Sequence, residues 1–209
     1  NGVSVTGETG STTDLYDVQI GSVRFTCSGG TVQGTAVRVA RTNTEVISQV
    51  HVRDVIARTC GAALQFNTVT DCSADDITAI DTSGHAIQFT STTNCTLGRH
   101  STVNAGNNTG SFDGLNLGSN TRLKVKGPGI HTTADRWGVN FDGNTDSEVD
   151  GVFCYGCGRR TAIGDERGGI RDNGNTDSIV GFNCGAEDNG SSYTSYGYRS
   201  VATTRGYLL

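Results

Sequence analysis

The chain has 209 residues and a formal net charge of −5, and 30 of its residues are glycine, about twice the usual share. The acidic balance argues against a nucleic-acid-binding groove, and no run of 18 apolar residues is present that could span a membrane. Apolar residues make up only 34% of the chain, but they recur at intervals, which is not the pattern of a disordered polymer.

Residues 1–33 carry strand-like runs at Val3-Ser4-Val5, Val18-Gln19-Ile20 and Val23-Arg24-Phe25, read as an irregular opening. A pattern then recurs six times: apolar-x-apolar, a few residues, Ser/Thr followed by Asn/Asp, and an apolar residue three positions on. The copies are Val37-Arg38-Val39 with Thr42-Asn43, Leu64-Gln65-Phe66 with Thr70-Asp71, Ile87-Gln88-Phe89 with Thr93-Asn94, Leu115-Asn116-Leu117 with Ser119-Asn120, Val139-Asn140-Phe141 with Thr145-Asp146, and Ile170 with Thr176-Asp177. The leading positions are separated by 27, 23, 28, 24 and 31 residues. An uneven period of this length, with strands between Gly, Asn, Asp and Ser turns, marks a β-solenoid.

Further strands are expected at Val50-His51-Val52, Ile77 to Ile80, Leu123-Lys124-Val125, Val149 to Phe153 and Ile179 to Phe182. Coils this long predict an all-β, right-handed parallel β-helix of about seven coils. Residues 34–196 form its regular part, and residues 197–209 a last partial coil or a link to a following domain. Val37, Leu64, Ile87, Leu115, Val139 and Ile170 should form one buried aliphatic stack. Asn43, Asp71, Asn94, Asn120, Asp146 and Asp177 should line one corner, where Asn and Asp tolerate the left-handed conformation and hydrogen-bond nearby backbone. Neither end resembles a polar cap, so the chain is expected to be a piece of a longer protein or to be capped by other domains or subunits.

Four of the seven cysteines fall into related slots: Cys72 with Cys95, and Cys154 with Cys184. Stacked buried thiols are the simplest reading. Cross-coil disulfides, and a metal or redox role for Cys154-x-x-Cys157, remain alternatives. The run Asp142-x-Asn144-x-Asp146-x-Glu148-x-Asp150 has the alternating oxygen donors of a calcium loop. However, Ser147 stands where such a loop wants glycine and Phe153 where it wants a bidentate acid. It is read as a solvated turn, and no metal or cofactor is expected.

The openings Gly61-Ala62-Ala63-Leu64-Gln65-Phe66 and Gly84-His85-Ala86-Ile87-Gln88-Phe89, followed by Thr-Asp-Cys and Thr-Asn-Cys, resemble coils of the pectate-lyase-like superfamily over about residues 34–184. Among its members the chain looks most like a bacteriophage tailspike: acidic, rich in Gly, Ser, Thr and Asn, with free cysteines and unequal coils. That resemblance implies a homotrimer on the virion, or an extracellular protein, that recognises bacterial surface polysaccharide and in some members depolymerises it. A secreted polysaccharide-degrading enzyme of polygalacturonase or pectate-lyase type, and a purely structural fibre segment, are the alternatives. The polygalacturonase motif set is matched only in part, by Asp75-Asp76, His85 and Arg122-Leu123-Lys124.

Counting back from Val139 and from Ile170 aligns Asp135 with Glu166, Arg136 with Arg167, and Trp137 with Gly168. Adjacent coils lie about 5 Å apart, a spacing that suits the two carboxylates of a retaining glycosidase. Asp135 and Glu166 are therefore the candidate catalytic pair. Arg136 and Arg167 would bind an acidic sugar, and Trp137 would offer a face to a pyranose ring. The competing reading is an ion-pair ladder along an edge.

Overall fold

In the computed structural model, residues 2–6, 14–27, 34–42, 44–106, 112–158, 167–186, 195–203 and 207–208 are described. Among them there is no helix, and the strands fill two parallel sheets. The first sheet stacks Val3–Thr6, Thr35–Ala40, Ala62–Asn67, Ile87–Thr90, Leu115–Gly118, Trp137–Asp142, Arg167–Asn173 and Ser195–Val201 in chain order. The second contains Val18–Thr26, Val50–Arg58, Ser73–Thr82, the short pair Thr96–Leu97 and His100–Ala105, then Lys124–Thr132, Glu148–Cys157, Ile179–Ala186 and Tyr207–Leu208. The chain passes from one sheet to the other and back, and each return lays a strand beside the one a winding earlier. This is the all-β, parallel architecture expected from the repeat.

The leading aliphatic positions fall in one row: Val3, Val37, Leu64, Ile87, Leu115, Val139, Ile170 and Tyr198 are successive register partners. Val37 through Ile170 in this row are fully buried. Two residues on runs a second row, Val39, Phe66, Phe89, Leu117 and Phe141, with the rings of Phe66 and Phe89 edge-on at 4.9 Å. The second sheet faces them with Val52, Ala74, Leu97, Val125, Val149 and Val180. Burying such a side chain stabilises by about 1.5–3 kcal/mol, so these rows carry most of the fold. The second row ends where Phe141 meets Asp172, a buried carboxylate that accepts hydrogen bonds from Tyr198 Oη (2.8 Å) and Thr203 Oγ1 (2.9 Å).

Corners are made by single residues in the left-handed conformation. Of the eighteen non-glycine residues with positive φ among the described residues, nine are Asp or Asn, the types that best tolerate it. They too stack. Ser22, Asp54 and Asp76 interrupt the long strands of the second sheet, because a left-handed residue cannot continue an extended run. Thr59, Asp81, Asn104, Thr133 and Gly156 turn the chain at the end of those strands.

The expected corner ladder needs correction. Thr70, Thr93, Thr121, Thr145 and Thr176 are bridged in succession, so the residues that follow them share a slot: Asp71, Asn94, Arg122, Asp146 and Asp177, all left-handed. Asn120 is not among them. It lies two residues earlier and is buried. Asn43 lies outside the described residues, and the bridge from Ser48 to Thr70 places Gln49, also left-handed, in that slot of the preceding winding.

Asn120 instead opens an internal ladder with Asn144 and Asn175. Asn144 Oδ1 accepts from the backbone N–H (3.0 Å) and side-chain Nδ2 (2.8 Å) of Asn120, and Asn175 Oδ1 does the same for Asn144 at 2.6 and 3.0 Å. Each amide also donates to a core carbonyl, of Phe89, Leu117 or Phe141. Asn144 is therefore turned into the core rather than towards a cation.

A second buried polar cluster is formed by His100, Thr102 and His131. His100 Nδ1 lies 2.7 Å from the carbonyl of Gly98, His100 Nε2 lies 3.1 Å from His131 Nε2, and His131 Nδ1 lies 2.9 Å from Thr102 Oγ1. A carbonyl only accepts, which fixes every proton in the neutral chain. His100 Nδ1 donates to Gly98, His131 Nε2 donates to His100, and Thr102 donates to His131. Burial pulls the pKa of His100 down to about 4 and that of His131 well below its ordinary value.

Cys72 and Cys95 stack as expected, one residue before the paired Ser73 and Thr96, and Cys154 pairs with Cys184 along the second sheet. Cys27, Cys60, Cys72 and Cys95 are free thiols. A hydrogen bond with Cys95, together with burial, pushes the Cys72 thiol up, and burial raises Cys60 to about 11.

Candidate functional site

The alignment proposed from sequence is the register of the fold. Trp137 pairs with Gly168, and the amide of Gly168 donates to the carbonyl of Arg136 at 3.0 Å. Arg136 and Arg167 thus occupy neighbouring windings. Glu166, the proposed partner of Asp135, lies outside the described residues.

Burial changes the character of this cluster. Asp135, Trp137 and Arg167 are at most 1% exposed, and Arg136 is half-buried. Gly106, with φ +93°, packs directly on the Asp135 carboxylate, where a β-carbon would come within 2.6 Å of Oδ2. Gly158, with φ +89°, packs likewise on the stem of Arg167. The expectation that Trp137 presents an open face to a sugar is corrected: its indole stacks on Tyr196 at 6.4 Å between centroids and 22° between planes. These two residues are two windings apart, and Gly168 between them has no side chain to separate the rings. Arg199 continues the stack, its guanidinium 5.5 Å from the Tyr196 centroid.

The same slot, followed back along the stack, holds Asp113 and then His85, because Leu115 pairs with both Val139 and Ile87. Asp113 is fully buried, and its Oδ1 accepts the backbone N–H of Trp137 at 3.1 Å. Its other oxygen, Oδ2, lies 3.3 Å from His85 Nδ1 and has no other partner. The His85 side chain is 24% exposed and packs edge-on against Phe112 at 5.2 Å. Two groups compete for His85 Nδ1, since the amide of Asp113 also points at it from 3.1 Å. Only the amide contact has hydrogen-bond geometry, so Nδ1 accepts, the neutral ring carries its proton on Nε2, and Asp113 Oδ2 is left without a donor. In the sequence His85 stands out only within the partial polygalacturonase set, and Asp113 carries no signal at all; only the pairing of Ile87 with Leu115 joins them.

Beside this row, the outward positions of the first sheet form a polar ladder. Gln65 Nε2 donates to Gln88 Oε1 at 3.3 Å, Asn140 Nδ2 to Asn116 Oδ1 at 3.0 Å, and Arg171 Nη1 to Asn140 Oδ1 at 3.3 Å. The partial polygalacturonase set is not assembled: Asp76 sits at the bend of the second sheet and Arg122 at the corner that follows the first, whereas His85 begins the first.

A separate open groove of about 330 Å³ runs beside the second sheet, lined by Asp54, Ile56, Asp76, Thr78, Arg99 and Ile130 among others. Arg24 lies 2.9 Å from Asp54, and Arg99 grips Asp76 through two nitrogens. These hydrogen bonds hold both carboxyls below the usual range, so neither is available as a general acid near neutral pH. Among the described residues no group of three or more His, Cys, Asp or Glu side chains could hold a metal ion. No family model matches this chain, and no curated protein matches it.

Proposed function

We propose that the chain is a segment of a right-handed parallel β-helix, of about seven coils and of the pectate-lyase-like kind, from a tailspike-like virion protein that binds bacterial surface polysaccharide. The observation that carries this reading is the outer face of the first sheet. Its ladder of Gln65, Gln88, Asn116, Asn140 and Arg171 repeats at the strand spacing of about 4.8 Å, and it lies beside the half-open His85. Amides offer a donor and an acceptor together, as vicinal sugar hydroxyls do. An extended glycan laid across the windings meets the partly exposed Gln65, Gln88, Asn116 and Arg171, with Asn140 buried between the last two and holding both.

Assembly as a homotrimer is part of the same reading. The outward side of the second sheet bears Val103, Ile130, Phe153 and Tyr155, each between 40% and 64% exposed, with Ile130 and Phe153 direct register partners. An apolar stripe on an otherwise polar rod is the usual mark of a contact face.

A glycan array of bacterial surface polysaccharides, combined with a reducing-end release assay, tests the reading. Binding that falls at least tenfold in Asn140→Ala or Arg171→Ala is the expected result. A wild-type protein that retains no glycan, or binding indifferent to both changes, would sink it.

A further inference from the structure

We propose that the bound polysaccharide is anionic, and that Arg171 and Arg199 together hold a carboxylate of one of its sugars. The inference rests on the polysaccharide reading of the first-sheet face and adds the charge of the ligand. Its own basis is the make-up of one outward row. Successive register partners along that row are Ser4, Arg38, Gln65, Gln88, Asn116, Asn140, Arg171 and Arg199. The row carries three arginines and no acid, in a chain whose net charge is −5. On an acidic protein such a row makes a local positive potential that draws anions.

Arg171 and Arg199 are direct partners on neighbouring strands, about 4.8 Å apart at the backbone. Like charges so placed repel, and an anion lying over both offsets that cost. Within the fold Arg171 is served only in part. Its Nη1 donates to Asn140 Oδ1 at 3.3 Å and lies 3.7 Å from Asp142 Oδ2, while the other oxygen of Asp142 accepts from Asn173 at 2.6 Å. Its Nε has no acceptor. The Arg199 guanidinium is placed by Tyr196, 5.5 Å from the ring centroid. Both arginines are partly exposed, whereas Arg167 is buried. A planar guanidinium meets a carboxylate through two parallel N–H···O bonds, and such charge-assisted bonds are about twice as strong as neutral ones. A uronic-type sugar seated on this pair leaves the rest of the chain to run along the face towards Asn116 and Gln88.

The test uses the full chain on three sets of probes: bacterial polysaccharides that contain uronic acids, the same polymers with their carboxyls reduced to alcohols, and phosphate-bearing bacterial polymers. Binding should be confined to the first set and should fall at least tenfold on reduction. Arg171→Gln and Arg199→Gln should each reproduce that fall on the native polymer, with melting temperatures unchanged, and should bind native and reduced forms alike. Arg171→Lys, which keeps the charge without the planar fork, should recover only part of the affinity. Arg53→Gln removes the same charge from an exposed position on the second sheet and should bind as the wild type does. Equal binding to native and reduced polymers, a preference for the phosphate-bearing set, an acid preference untouched by Arg171→Gln and Arg199→Gln, or an equal loss in Arg53→Gln overturns the inference and leaves the polysaccharide reading standing. Retention of no polymer from any set defeats both.

Discussion

His100 and His131 are ordinary titratable residues made unusual by place. Their ring-to-ring hydrogen bond exists only while both are neutral, since a protonated His100 Nε2 would face the Nε2–H of His131 at 3.1 Å. Gly129 leaves the room that His100 fills, as a β-carbon there would come within 2.5 Å of Nε2. The consequence for stability has a definite sign. The folded pKa of His100 is about 4, and that of an unfolded histidine is about 6.5. Between these values the unfolded chain binds the extra proton, so the contribution is complete above pH ~6.5 and is lost as pH falls towards 4. At about 1.4 kcal/mol per unit, the loss is on the order of 3 kcal/mol. Asp54 and Asp76 contribute in the opposite part of the scale. Their lowered pKa values give stability that is present above about pH 4 and lost below it. The window from 6.5 to 4 therefore isolates the histidines. Urea midpoints should fall through that window in the wild type and much less in His100→Asn; parallel profiles for the two proteins would refute the assignment.

At the level of strands and turns, the repeat was legible because its aliphatic rows are spaced by whole windings. The six leading residues share one row, and the alignment of Trp137 with Gly168 followed from counting alone. The corner was misread in two windings for a local reason. The left-handed residue stands seven positions after the leading aliphatic in five successive windings, Leu64 to Asp71 through Ile170 to Asp177, which makes Arg122 the fourth winding's member. Ser119-Asn120 mimics the Thr-Asn pair but falls two positions short, and a longer turn after Val39 displaces the slot to Gln49. Burial of the Asp135 cluster was not legible, because it depends on how turns such as Gly106 and Gly158 fold over it. The two kinds of asparagine separate in their response to substitution. Asn144→Leu strands two donors on Asn120 and the carbonyl of Leu117 within the core, so it should cost about 2–4 kcal/mol. Asp146→Gly, at an exposed left-handed corner, relieves backbone strain and should change stability by less than ~1 kcal/mol. Equal losses in denaturant titrations of the two variants would contradict the division between core ladder and corner.

Over the whole molecule, the outward sides of the sheets differ in chemistry. The first sheet shows amides and Arg171. The opening segments of the second-sheet strands show His51, Arg53, Lys124, Lys126 and Asp150, all solvated, and their closing segments show Val103, Ile130, Phe153 and Tyr155. A rod wound from one short repeat could carry the same side chains on every side, and this one does not. The polar ladder suits a ligand rich in hydroxyls, whereas solvated charges resist close contact with another chain. In the trimer proposed above, the apolar stripe would be the face between subunits packed side by side. A stable interface of this kind buries about 800 Å² on each partner and is dominated by a few aromatic and aliphatic anchors. Ile130→Asp combined with Phe153→Asp places two charges on adjacent strands at the centre of the stripe. Sedimentation velocity should then show the proposed trimer dissociating to monomers, while glycan binding per chain persists with lower avidity on the array. A wild-type monomer at micromolar concentration, or a double variant that sediments as the wild type does, would show that the stripe is not the assembly face.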